Sequence, residues 1–200
     1  ALIVRNKDAA VSALASGGDY FDRGRAGMMD LTRAIRSPGS TLKPFIYAMA
    51  FDQGIAHPET LINDRRTDFY GYQPGNFDGR FRGQISIAEA LQQSLNIPAV
   101  KVLDRLGPQR FSARLQDAGL KLADQGSDGP ARLPIALGGG GTNLQELVRA
   151  YAGLANEGVV PCALKFVRSD LEVGAGHRLL TPVAAAMTRH ILAVAPAPAG

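Results

Sequence analysis

The sequence predicts an α/β chain of the α+β type, rich in helix and opened by a β-hairpin, and three observations carry that prediction. The first fifteen residues alternate weakly, with Leu2 to Val4 and Val11 to Ala15 set apart by Asn6-Lys-Asp8, as in two paired strands. Two spacings, Ser86-Ile-Ala-Glu89 and Thr142-Asn-Leu-Gln145, have the form of capping boxes and stand before apolar residues at helical intervals. Finally, 23 glycines and 12 prolines in 200 residues fall where helices would stop and start, and a 46% hydrophobic share is enough for one domain with a core.

After the hairpin comes a polar, glycine-rich passage from Ser16 to Arg25. A helix is expected from Ser40 through Phe45, Ile46, Met49 and Ala50 to a closing glycine at Gly54. Residues 55 to 83, rich in Pro, Gly, Asn, Asp and aromatic side chains, show no sustained period and read as a long folded loop. Its aspartates Asp64, Asp68 and Asp78 are expected to be solvated or to serve turns. A second helix runs from Ser86 to about Ser94, and a third from Asn96 and Pro98 to Gly107. Pro108 to Gly119 forms a fourth, since proline is tolerated at the first helical position. The capped run through Leu147, Val148, Tyr151 and Leu154 stops at Gly158, and Thr181-Pro182 opens a last helix through Met187 and Ile191. The strands are thus expected first and the helices after them.

Composition excludes several functions. The net charge is +4 with Lys and Arg scattered, so no basic face for nucleic acid is expected. No apolar run approaches the roughly 20 residues that cross a bilayer, and the N-terminus lacks signal-peptide order. It opens on Ala-Leu-Ile-Val without Met, as a piece of a longer chain would. One cysteine, Cys162, rules out an internal disulfide, and His57, His177 and His190 lack metal-ligand spacing, so no metal and no cofactor are expected. Gly138-Gly-Gly-Gly141 has no following lysine and is expected to be a flexible entry to a helix rather than a phosphate loop.

Two constellations can carry chemistry. Ser40 and Lys43 form Ser-x-x-Lys, which places both side chains on one helix face. A serine hydroxyl is a weak nucleophile at neutral pH and needs a base, and a lysine serves when burial lowers its pKa. The start of a helix further favours a developing anion. A bare Ser-x-x-Lys turns up by chance about once in a chain of this length, so context must support it. Ser94-Leu-Asn96 lies at a corner between two expected helices. There the hydroxyl could relay a proton and the carboxamide could hold a substrate amide.

The pair resembles the motifs of penicillin-binding proteins and serine β-lactamases, whose third element is a Lys-Thr-Gly strand. The resemblance extends through Arg36-Ser-Pro-Gly-Ser-Thr-Leu-Lys-Pro-Phe45, Tyr72-Gln-Pro-Gly-Asn-Phe-Asp78 and the run from Ile87 to Val100. It also takes in Leu137-Gly to Tyr151 and Asn156-Glu-Gly158, and the chain is similar to the class A, bifunctional members. It implies the penicillin-binding protein transpeptidase or serine β-lactamase-like fold, with a partial transpeptidase domain over residues 1–192, while residues 193–200, by composition, are expected to be a low-complexity tail or linker. Ser40 would attack a D-Ala-D-Ala stem peptide of peptidoglycan, Lys43 would take its proton, and Ser94 and Asn96 would complete the relay and grip the donor stem. β-Lactam antibiotics would acylate the same serine. An upstream glycosyltransferase domain, a membrane anchor and a place on the periplasmic side of the bacterial inner membrane are implied for the parent.

The 200 residues contain neither Lys-Thr-Gly nor Lys-Ser-Gly, so the segment alone is expected to be a poor enzyme. Two other readings stay open: a β-lactam-hydrolysing or β-lactam-sensing relative of the same fold, and a non-catalytic segment that binds peptidoglycan.

Overall fold

A computed structural model describes residues 1–200 except 18, 20, 22, 23, 25, 26, 124–128, 167–173 and 198–200. The glycine-rich passage of 16–25 and the end of the tail therefore lie partly outside the described residues. Strands β1 (Leu2–Arg5) and β2 (Ala10–Leu14) pair antiparallel from Leu2 with Leu14 to Arg5 with Ala10, as the alternation predicts. Asp8 closes their turn by bonding the Arg5 guanidinium and the Ala10 N–H.

Helix α1 (Lys43–Asp52) is the axis of the molecule. Phe45, Ile46, Tyr47, Ala48, Met49 and Ala50 are all fully buried, so it is covered on every side rather than along one stripe. Its neighbours are α2 (Ile87–Gln92), α3 (Asn96–Leu106) and α6 (Pro182–Ala193), with α4 (Pro108–Asp117) and α5 (Leu144–Ala155) completing the shell. Each fully buried Phe, Ile or Met on α1 contributes about 1.5–3 kcal/mol of transfer free energy. No helix among the described residues is long and apolar enough to cross a membrane.

Four expectations change. The long loop of 55–83 contains β3 (Leu61–Asp64), which pairs with β4 (Gly83–Ser86) from Leu61 with Ser86 to Asp64 with Gly83. Four-residue strands are too short to show a period against a background of Gly and Pro. With β5 (Val159–Val160) and β6 (His177–Arg178), strand pairs are interspersed among the helices instead of preceding them. Helix α5 is capped by Asn143, whose side chain accepts from the Glu146 N–H, not by Thr142. Thr142 instead ties the helix entry to distant chain, since its backbone bridges to Arg36 while Gln145 reaches back to the Thr32 hydroxyl.

The fourth change concerns the run Gly138 to Gly141, expected to be a flexible entry, in which Gly138, Gly139 and Gly141 are closely packed. A Cβ on Gly138 would lie 2.4 Å from Ser37 Oγ and 2.7 Å from Gly39 N, and one on Gly139 would lie 2.7 Å from the Pro134 backbone. Only a residue without a side chain lets this stretch of backbone approach so closely.

Candidate active site

Ser40 sits in a 3-10 turn, Gly39–Leu42, and the α-helix itself begins at Lys43, with Pro44 in its first turn. The expected helix start at Ser40 is thus three residues early. The two residues are joined through the backbone of this turn, where the Lys43 N–H bonds the Ser40 carbonyl. Gly39 takes a positive φ of 55°, and Pro38 cannot supply an N–H, so an α-helix does not extend further back.

The turn is fixed from three sides. Ser37 Oγ donates to the Gly138 carbonyl at 2.8 Å, the Arg36 and Thr142 backbones exchange bonds at 2.8 and 2.9 Å, and Tyr151 Oη donates to the Thr41 carbonyl at 2.9 Å. Tyr151 is itself set edge-on against Phe45, with ring centres 5.1 Å apart. Ser40 remains exposed on this held turn.

Lys43 is the opposite: only 1% of it is exposed. Its Nζ donates to the Ser94 carbonyl and to Asn96 Oδ1, both at 2.6 Å, and lies 3.4 Å from Ser94 Oγ. Ser40 Oγ is not among its hydrogen-bond partners. Among the described residues no carboxylate pairs with it, and burial pushes its pKa down to about 8. The two short bonds go to oxygens that only accept, whereas the long one goes to a hydroxyl that can turn and donate once Lys43 loses its proton.

The Ser94 corner is built by an unusual helix end. Helix α2 closes with Ser94 N–H on the Leu91 carbonyl and Leu95 N–H on the Ala90 carbonyl, a Schellman pattern. Helix α1 closes in the same way, with Gly54 on Phe51 and Ile55 on Ala50. The residue in left-handed conformation is glycine in α1, φ 66°, but serine in α2, φ 51°. A side chain there costs on the order of 1 kcal/mol, and strain of this kind gathers at functional sites. Here it turns both the carbonyl and the hydroxyl of Ser94 toward Lys43.

Asn96 opens α3, where Leu95 as N-cap supplies no side-chain bond. Asn76 supplies one from outside: its Oδ1 accepts from the Asn96 N–H at 2.9 Å. Asn96 Nδ2 donates to the Gly75 carbonyl at 2.7 Å, which leaves Oδ1 directed at Lys43. Asp64, expected to be solvated, is fully buried and receives Asn76 Nδ2 at 3.0 and 2.8 Å and the Arg82 N–H at 2.8 Å. Asp68 and Asp78 do serve turns, on Gly71 N and Arg80 N. Neither Asn76 nor Asp64 stands out in the sequence as a site residue; the run Tyr72 to Asp78 carries the former as part of the resemblance without a role.

Ile35, Arg36, Ser37 and the four glycines line a cleft of about 280 Å³ beside the serine's turn. A larger cavity, about 520 Å³, is formed by His57, Glu59, Gln92, Met187 and His190 among others and contains none of the four proposed site residues. It lies between the chain just after α1 and the helices α2 and α6.

Comparison with known proteins identifies the family. The family described as penicillin binding protein transpeptidase domain matches residues 1–170. Penicillin-binding protein 1C of Escherichia coli K12 is 44% identical over 159 residues, 78% of this chain and 20% of that protein. Penicillin-binding protein 1A of Neisseria flavescens is 36% identical over 161 residues, 76% of this chain and 19% of that protein. The chain thus spans about a fifth of these relatives' length. In three dimensions it is similar to the apo TP domain of Burkholderia pseudomallei penicillin-binding protein 3. That match has a TM-score of 0.77 and 22% identity, over 96% of this chain and 60% of that one. A turn that exposes Ser40, a buried Lys43 held by neutral oxygens and a family match across most of the sequence converge: the chain belongs to the penicillin-binding protein transpeptidase domain family.

Proposed function

We propose that this chain carries the acylation site of a peptidoglycan D,D-transpeptidase, with Ser40 as nucleophile, Lys43 as its base, Ser94 as proton relay and Asn96 as the grip on the donor stem. The observation that carries the reading is Lys43: a nearly buried amine, lowered to about 8, held by neutral oxygens one 3-10 turn from an exposed serine. At pH 7 about a tenth of such an amine is free to take a proton, which is the condition a general base must meet.

In the acylation step Ser40 Oγ bonds to the carbonyl carbon of the penultimate D-Ala while its proton passes to Lys43 Nζ. The C–N bond to the terminal D-Ala breaks, and that nitrogen receives the proton by way of Ser94. An acceptor amine then attacks the ester carbon, forms the crosslinking amide and returns the proton to Ser40. β-Lactams enter the same first step, with their ring amide as the bond that opens. The resemblance to class A members adds a glycosyltransferase domain, a membrane anchor and the periplasmic side of the inner membrane to the proposal.

The test is labelling by a fluorescent penicillin of the gene's full-length product, with the modified peptide located by mass spectrometry. A long-lived adduct on Ser40, absent in Ser40→Ala, is the expected result. An adduct that turns over quickly favours the hydrolysing relative, and no adduct at Ser40 favours the peptidoglycan-binding segment; either overturns the proposal.

A further inference from the structure

Asp64 and Asn76 form a chain of fixed direction that ends on the proposed active site. Asp64 closes β3 and is fully buried, and Asn76 is 8% exposed in the loop that follows. A carboxylate only accepts, so both its oxygens can face Asn76 only if the amide nitrogen is turned toward them, at 3.0 and 2.8 Å. The Arg80 carbonyl, 2.9 Å from the same nitrogen, selects the same orientation. Asn76 Oδ1 is then committed to the Asn96 N–H at 2.9 Å, and the neighbouring Gly75 carbonyl holds the Asn96 amide so that its oxygen meets Lys43 Nζ at 2.6 Å. A buried carboxylate is more costly than a neutral amide. What it supplies that an amide cannot is a direction that does not reverse.

We propose that Asp64 and Asn76 are positioning residues for acylation: they act through Asn96, fixing the start of α3 so that the Asn96 carboxamide keeps its oxygen on Lys43. The inference rests on the functional reading above. The Tyr47 phenol, fully buried, and the Lys101 ammonium are the titratable groups whose charge Asp64 influences, and Lys101 also donates to the Asn63 carbonyl.

The experiment measures penicillin acylation by the gene's full-length product across pH, separating the maximal rate from the apparent affinity. The variants are Asn76→Ala, Asn96→Ala, the double variant and Asn76→Asp, each with a thermal melt. Asn76→Ala is expected to lower the maximal rate about tenfold to a hundredfold while affinity changes less than about threefold. If Asn76 acts through Asn96, the double variant is slower than Asn96→Ala by no more than about twofold. Asn76→Asp sets two carboxyls against each other. Its rate relative to wild type is expected to be lowest near about pH 8.5 and to recover toward about pH 5.5, where the pair shares a proton.

Four results overturn the inference: folded Asn76→Ala within about twofold of wild type, multiplying effects in the double variant, a relative rate for Asn76→Asp that is flat with pH, or failure of both Asn76 variants to fold at any pH. Labelling that survives Ser40→Ala overturns the functional reading instead, so the two failures are told apart.

Discussion

The two ends of α1 carry charges of the wrong sign for the helix they belong to. Lys43 adds a cation at the positive N-terminal end, and Asp52 adds an anion at the negative C-terminal end. At the C-terminal end the conflict is resolved. Asp52 Oδ2 meets the Arg114 guanidinium at 3.0 Å and Oδ1 accepts from the Thr181 N–H at 3.0 Å. Burial alone would raise the Asp52 pKa, but the bonds from Thr181 and Arg114 outweigh it and hold the carboxyl below its usual value. At the N-terminal end no anion among the described residues answers Lys43, and its pKa falls to about 8. The fold neutralises the charge that only holds helices together and, among the described residues, leaves without a counter-ion the one that follows the turn of the proposed nucleophile.

The strongest way to break this comparison is to keep the charge at Lys43 and remove its titration. A guanidinium stays protonated at any working pH, so Lys43→Arg is expected to lower penicillin acylation by about 10²–10⁴-fold, the range of a lost general base. The wild-type rate should rise with pH up to about 8 and then level, because the folded amine must lose its proton first. A rate profile flat between about pH 6 and 9, or a Lys43→Arg protein near wild-type speed, would show that this lysine is not the base.

A smaller effect separates the two ends through glycine. Gly138 stands against the serine's turn, with φ 96° and no room for a Cβ, whereas Gly54 closes α1 at φ 66° with nothing within 4 Å of an added Cβ. Gly138→Ala must move Ser37 and Gly39, and a displacement near 1 Å beside the proposed nucleophile is expected to cost about a hundredfold in rate. Gly54→Ala strains only its own backbone and is expected to cost about 1 kcal/mol of stability with acylation per folded molecule unchanged. Stopped-flow acylation and denaturant titration on both variants read the difference. Equal rate losses would mean that the C-terminal end is not merely structural.

How much of this could be read from the chain follows the range of the forces involved. Local signals gave most helix boundaries: Gly54 at positive φ, the Ser86 and Glu89 capping box and Thr181 before Pro182 all stand as expected. Ser40, Lys43, Ser94 and Asn96 were legible as candidates because their spacings lie inside longer runs that carry the resemblance, and the structure brings Lys43, Ser94 and Asn96 together. The pieces that were missed depend on distant partners. Asn143 replaces Thr142 as a cap because Thr142 pairs with Arg36, more than a hundred residues earlier. Asp64 looks like any loop aspartate until β3 and β4 bury it and Asn76 and Arg82 come to it. Likewise, glycines read as slack proved to be the condition for close packing, which only the neighbouring Ser37 and Pro134 reveal.

The smallest expected effect tests the resolved end directly. Asp52→Asn removes the charge but keeps an oxygen for the Thr181 N–H, and Arg114 retains its bond to the Leu179 carbonyl, so no buried donor is orphaned. The loss should therefore lie at the low end of a charged hydrogen bond, about 1.5 kcal/mol. Its sign with pH follows from the lowered pKa. The folded state binds the Asp52 proton less well than the unfolded chain, so the stabilisation is complete above the ordinary value of 3.8 and is lost as pH falls through it toward the folded pKa. The gap in unfolding free energy between wild type and Asp52→Asn should thus stay constant from about pH 5 to 8 and close below about pH 4. Acylation per folded molecule should not change at any of these values. If Asp52→Asn instead slowed acylation, the charge at the far end of α1 would be felt at Lys43, and the division of the helix into a structural end and a chemical one would fail.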